Sequence, residues 1–146
     1  MTFVNQLLSN SILISSVTAW AVAQILKTII NTITTKSFNP ERIFGCGGMP
    51  SSHSATVCAL VTAVGLRYGA DTYEFAMAAV FAIIVMYDAM NVRREAGRHA
   101  QWINLISTTL KPDIPLEKKF KEYIGHTPLQ VVMGAILGIL IALICP

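Results

Sequence analysis

The run Gly47-Gly48-Met49-Pro50-Ser51-Ser52-His53-Ser54-Ala55 gathers residue types that handle anions and protons. Glycines, a proline, serines and a histidine stand directly before an apolar stretch. That order predicts a loop feeding a helix N-terminus, whose free backbone N–H groups and positive partial charge attract phosphate-like anions. The glycines let the backbone curl around an oxyanion. His53 then stands where it could exchange a proton with the bound group. A plainer role for the same residues is a serine N-cap on a buried helix with a histidine packed beside it.

Two further clusters carry compatible chemistry. In Tyr87-Asp88-Ala89-Met90-Asn91-Val92-Arg93-Arg94-Glu95-Ala96-Gly97-Arg98-His99, Asp88 ends an apolar run and needs a partner there. Arg93 or Arg94 is the natural one. Adjacent helical residues point about 100° apart, so one arginine could face a phosphate while the other meets Asp88 or lipid headgroups. The planar arginine fork suits phosphate because it donates two parallel hydrogen bonds. In Gly125-His126-Thr127-Pro128-Leu129-Gln130-Val131, a second histidine stands at a second helix start. Thr127 can cap that helix and Pro128 fits its first turn. The two histidines together suggest a nucleophile and a proton donor.

Composition sets where such a site operates. The chain has 146 residues, one domain's worth, with 53% hydrophobic and only 13% charged residues. A soluble domain carries about 25% charged residues, so the expectation is a single integral-membrane domain spanning 1–146. A net charge of +3 is too small and too localised to imply a nucleic-acid partner. Cys46, Cys58 and Cys145 have no metal-ligand spacing and imply no disulfide framework.

Four apolar segments could cross or enter a bilayer: about Ser11–Leu26, Ala55–Leu66, Phe75–Tyr87 and Leu129–Cys145. Gly134 and Gly138 have the GxxxG spacing that lets another helix approach closely. Between the third and fourth segments, Arg94–Leu110 reads as an amphipathic helix, with Arg94, Arg98 and Gln101 on its polar side. After a break at Lys111–Pro115, Leu116–Ile124 reads as a short charged helix ended by Gly125. The expected fold is an all-α membrane protein, a compact bundle of about six helices with about four crossing the membrane.

If each deep segment crosses once, Lys27, Lys36, Arg42 and His53 share one face with Asp88, Arg93, Arg94, Arg98, His99 and His126. Of eleven Lys and Arg residues, only Arg67 belongs to the opposite side. The positive-inside tendency makes the crowded face cytoplasmic and puts both termini across the membrane. Basic residues gathered to bind phosphate produce the same asymmetry. A chain this short also leaves room for a second copy to shield polar surface, so a homo-oligomer is allowed.

These clusters together resemble the type 2 phosphatidic-acid phosphatase and vanadium haloperoxidase superfamily, in its small divergent membrane branch. Pro50-Ser51-Ser52-His53 is similar to the family's Pro-Ser-Gly-His motif, with Ser52 in place of glycine. Gly125-His126-Thr127-Pro128 through Val131 and Gly134 is similar to the end of its third motif. The blocks Gly-Gly-Met-Pro-Ser-Ser-His, Asp-Ala-x-x-Val-Arg-Arg and Gly-His-Thr-Pro carry the resemblance to the divergent branch, over roughly Gln24 to Gly138.

The resemblance implies a phosphatase with a phosphohistidine intermediate and neither metal nor other cofactor. His126 would attack phosphorus. His53 would protonate the leaving oxygen and later activate water. Ser51, Ser52, backbone N–H groups and Arg93 or Arg94 would hold the phosphoryl oxygens. Lys27 would stand for the first-motif lysine, with Arg42 as a companion. The chain departs from the family pattern in lacking Lys-x6-Arg-Pro and in carrying Gln130 where a carboxylate follows the nucleophilic histidine. Gln130 can orient an imidazole but adds no negative charge.

His99 is an alternative nucleophile, because Arg93 and His99 match the family's Arg-x5-His spacing. The expected substrate is a lipid phosphate or isoprenoid diphosphate entering sideways from a bacterial plasma membrane. Two other readings are a non-catalytic protein with a relict phosphate- or lipid-binding site, and a metal hydrolase using His53, Asp88, His99 and His126 as ligands.

Overall fold

The computed structural model describes residues 2–38, 47–109, 119–122 and 124–145. These residues form six helices: α1 (Phe3–Leu8), α2 (Ser11–Thr35), α3 (Ser52–Tyr68), α4 (Tyr73–Met90), α5 (Val92–Thr109) and α6 (Pro128–Ile144). The described residues contain no strand. The fold is all-helical, as the composition and hydropathy pattern predict.

Local chemistry sets the helix starts. Asn10, Ser51, Thr72 and Thr127 are the N-caps of α2, α3, α4 and α6, each accepting a backbone N–H from the first turn. At α6 the cap is reciprocal: Thr127 Oγ1 accepts from Gln130 N–H while the Gln130 side chain accepts from Thr127 N–H, with Pro128 in the first turn.

The bundle is built from α2, α3, α4 and α6, with α3 at its centre and packed most extensively against α6. Its core consists of small residues: Ala19, Ala23, Ala55, Ala59, Ala63 and Ala142 form one buried cluster. The large aliphatic residues face outward, among them Ile25, Ile29 and Ile33 of α2, Val80, Ile83 and Ile84 of α4, and Leu140 and Leu143 of α6. Water would penalise such an arrangement, whereas lipid tails favour it, because close helix approach there depends on small residues. Two helical runs, Ser11–Thr35 and Tyr73–Thr109, are long and apolar enough to cross a membrane, and α6 is a shorter apolar helix.

The glycine pair of α6 is used within the chain. A β-carbon on Gly134 would stand 2.3 Å from the Ser51 carbonyl oxygen, and one on Gly138 would stand 2.2 Å from that of Ala55. The GxxxG face is therefore occupied by α3 and is not open to a second copy.

Three expectations about elements change. First, α2 runs to Thr35 rather than ending near Leu26, so Lys27 lies inside the helix and is buried. Second, α3 begins at Ser52, which puts His53 in its first turn. Third, no helix covers the described part of Leu116–Ile124: residues 119–122 and 124 are non-helical, while 110–118 and 123 lie outside the described residues. Asn104 explains the strap-like path. Its side chain accepts from Phe120 N–H at 3.0 Å and donates to the Phe120 carbonyl at 2.9 Å and to Glu122 Oε1 at 2.8 Å. It thereby satisfies the backbone of Phe120 as a neighbouring strand would, removing the local advantage of a helical turn.

Replacing Gly138 with Leu should lower stability by about 3 kcal/mol or more, because the backbone of α3 cannot yield to a side chain. Leu140→Ala, on the outward face, should change it by only about 0.5 kcal/mol. Thermal unfolding in detergent micelles measures both.

Candidate functional site

His53 and His126 meet at one end of the bundle, with ring centroids 6.1 Å apart and planes inclined at 65°. They come from helix starts separated by half the chain. Gly134 lets α6 descend onto the Ser51 carbonyl, and Ser51 N–H donates to the Gln130 carbonyl at 3.0 Å. His126 N–H donates to the Ala89 carbonyl at the end of α4, at 3.1 Å. Gly125 is needed just before it, since a β-carbon there would stand 2.3 Å from Arg94 Cα.

The hydrogen bonds assign the His126 tautomer. Gln130 Oε1 accepts from Thr127 N–H at 3.1 Å, which fixes which end of the amide faces the backbone. The same oxygen lies 3.3 Å from His126 Nδ1, so that nitrogen must carry the proton. His126 Nε2 is left as the bare lone pair. It is buried and has no hydrogen-bond partner, as is His53 Nδ1. A buried orphan of this kind calls for an explanation, and an unprotonated imidazole nitrogen is what a nucleophile requires.

Both imidazoles stand just ahead of the apolar stretches of their helices. Burial is the first cause that pushes the His53 pKa down, with the Arg93 and Lys27 charges adding to it and Asp88 opposing. Burial likewise lowers that of His126, reinforced by Lys27 and His53 and opposed chiefly by the hydrogen bond to Gln130. Near neutral pH both rings are therefore uncharged.

Lys27 supplies positive charge from α2. It is 2% exposed, and its Nζ donates to Gln24 Oε1 at 2.6 Å and to Ser52 Oγ at 3.3 Å. Its stem packs on Gly48, where a β-carbon would stand 3.2 Å from Lys27 Cγ and where φ is +90°. Both the close approach and the left-handed backbone demand glycine there. Gln24 had no distinguishing signal of its own. Its only clue was the i, i+3 spacing to Lys27.

The two adjacent arginines divide their tasks. Arg93 Nε pairs with Asp88 Oδ2 at 2.5 Å. Arg94 instead lines a cavity of about 450 Å³ together with His126, Gly47, Gly48, Arg98, Thr127 and Gln130. The serines are also distinguished. Ser51 Oγ caps α3 and accepts from Ser54 Oγ at 3.0 Å, while Ser52 Oγ meets the lysine.

His99 is not brought to this cluster. It is exposed on α5 and lines a separate depression of about 510 Å³ with Trp102 and Leu105. Arg42 lies outside the described residues. Among the described residues no group of three or more His, Cys, Asp and Glu side chains is placed to hold a metal ion.

Residues 8–141 match the family described as the "Divergent PAP2 family". The chain is also 40% identical to the "Uncharacterized membrane protein YuiD" of Bacillus subtilis (strain 168), over 95% of this chain and 96% of that protein. No solved structure gives a significant match.

The lowered histidine pKa values have a consequence for stability. Below the ordinary value of 6.5 the unfolded chain binds protons that the folded site resists. Stability should therefore be fully present above that value and fall as the pH drops through the folded pKa values. Thermal melting between about pH 7 and about pH 5 should show the loss, and His126→Asn should reduce it.

Proposed function

The chain belongs to the divergent PAP2 family, and from that premise we propose that it is a membrane phosphatase hydrolysing a lipid phosphate or isoprenoid diphosphate through a phosphohistidine. The observation that carries this reading is the His126–His53 pair, with the His126 tautomer held by Gln130, Nε2 buried without a partner, and His126 lining a cavity that also bears Arg94 while His53 lies outside its lining.

In the first step His126 Nε2 attacks the terminal phosphorus, whose bond to the leaving oxygen breaks: the lipid's own oxygen in a monophosphate, the bridging oxygen in a diphosphate. His53 gives the departing oxygen its proton. His53 reaches that protonated form once the substrate is bound, because the phosphate charge offsets those of Lys27 and Arg93. In the second step His53 takes a proton from water, the water oxygen attacks the phosphohistidine, and inorganic phosphate leaves with His126 restored. Lys27, Ser52 and Arg94 are the donors for the phosphoryl oxygens, where charge builds in the transition state. Arg93 holds Asp88 and adds its charge from behind His53, and Gln130 acts as a positioning residue. Ser51 shapes the loop through its cap. Arg42 keeps its proposed role as a companion to Lys27.

The apolar outer surface supports a substrate with a hydrocarbon tail. Basic residues support an orientation with the site on the cytoplasmic side of a bacterial plasma membrane: among the described residues, Lys27, Lys36, Arg93, Arg94, Arg98, Lys119 and Lys121 belong to the histidine end and Arg67 to the other.

A second reading rests on Gln130. An amide orients the ring but adds no charge to support an imidazolium, as expected of a site that binds phosphorylated lipid without turning it over.

Purified protein should release inorganic phosphate from prenyl diphosphates or phosphatidic acid in the presence of chelator. His126→Ala should abolish release, and His53→Ala should reduce it by a factor of about 10²–10⁴. In His53→Ala, mass spectrometry should find the phosphoryl group on His126. Binding of these lipids without release by the unaltered protein would favour the second reading.

A further inference from the structure

The amphipathic helix α5 has three distinct sides. Gly97, Ala100 and Asn104 are buried against the 119–122 strap. Arg94, Arg98 and Gln101 line the His126 cavity. The third side is uncovered and mostly apolar: Val92 is 62% exposed, Trp102 64%, Ile103 44% and Ile106 52%. At 100° per residue these four residues and Ala96 fall within one stripe, which also holds the exposed His99 and Glu95, and Glu95 pairs at 2.9 Å with Arg98 on its border.

The position of α5 indicates what covers this stripe. It begins two residues after α4 ends, so it starts at the depth where a membrane-crossing helix leaves the hydrocarbon. The outward residues Val80, Ile83, Ile84 and Tyr87 of α4 are exposed up to this point of the chain. The stripe thus follows directly in the chain on a helix whose outer surface is suited to acyl chains. Its basic border and the nearby Lys119 and Lys121 complement anionic headgroups, and an exposed tryptophan suits the interface.

We propose that α5 lies in the membrane interface, with Val92, Trp102, Ile103 and Ile106 among the upper acyl chains of an anionic leaflet, and that its Arg94–Arg98 edge forms the lateral threshold of the His126 cavity. The same helix then anchors to the bilayer and separates it from the site. An anionic headgroup crosses from one to the other by passing over the arginine edge while its tail stays in lipid. The anchoring stands on the exposed stripe and its location. The passage of substrate rests on the phosphatase reading above.

Trp102 reports on the anchoring without reference to catalysis. The chain has two tryptophans, and Trp20→Phe leaves Trp102 alone. The variant is reconstituted into phosphatidylglycerol-containing vesicles whose acyl chains carry bromine either near the headgroup or near the terminal methyl. The expected result is a large loss of Trp102 emission with bromine near the headgroup, a smaller loss with deep bromine, and little loss with aqueous iodide. Quenching by iodide and not by bromolipid would overturn the proposal by leaving the stripe in water. Protection from both quenchers would overturn it in favour of a second protein copy on the stripe. If Trp20→Phe fails to fold, a nitroxide on Ile103→Cys, with Cys46, Cys58 and Cys145 replaced by Ala, gives the same depth by power saturation. Loss of phosphate release with the quenching pattern intact would count against the phosphatase reading and leave the anchoring in place.

Discussion

The close approach of α6 to α3 is the constraint on which the rest depends. Gly134 and Gly138 let one helix rest on the carbonyls of Ser51 and Ala55, where any β-carbon would collide. In a lipid environment helices gain little by hiding apolar surface from one another, so contact distance and packing must supply the attraction. The alanine cluster around Ala59 extends the same principle. Because Gly134 meets the residue just before α3, the contact also aligns two helix starts. The two histidines meet edge to face because the glycines let the helices that carry them approach this closely.

Given that alignment, a few polar contacts orient the groups gathered at the helix junction. Gln130 links backbone and chemistry: its carbonyl holds Ser51, its side chain closes the cap with Thr127, and the same oxygen orients His126. A carboxylate there would orient the ring and also favour its charged form. The amide orients it and favours the charged form only through one hydrogen bond, which burial outweighs with help from Lys27, so the imidazole stays neutral. The site is thus biased toward a free lone pair, and in the proposed reaction the incoming anion would balance the charge.

The adjacent arginines show how helix geometry separates roles. Arg93 turns toward Asp88 and spares a carboxylate from standing alone at the end of an apolar helix. Arg94, about 100° around α5, turns toward the cavity. The strap tied to Asn104 closes the other side and delivers Gly125 and His126 against the start of α5.

Much of this was legible in the amino-acid order. Hydropathy marked the apolar helices, because helices in lipid must present hydrocarbon outward whatever their neighbours. The caps at Ser51 and Thr127, the proline after it and the glycine pair were readable because each acts within a few residues of itself. The motifs around His53, Arg93 and His126 carried the family resemblance, and Arg93 and Arg94 could be expected to diverge from helical spacing alone. Tertiary structure decided what depends on distant partners. It buried Lys27 inside a longer α2 beside Gln24 and Ser52, assigned Arg94 rather than Arg93 to the cavity, and left His99 on an outer surface although its spacing fitted a nucleophile. It also made residues 119–122, within the helix expected over Leu116–Ile124, a non-helical strap, because the side chain of Asn104, distant in sequence, satisfies the backbone of Phe120 and overrides local helical preference.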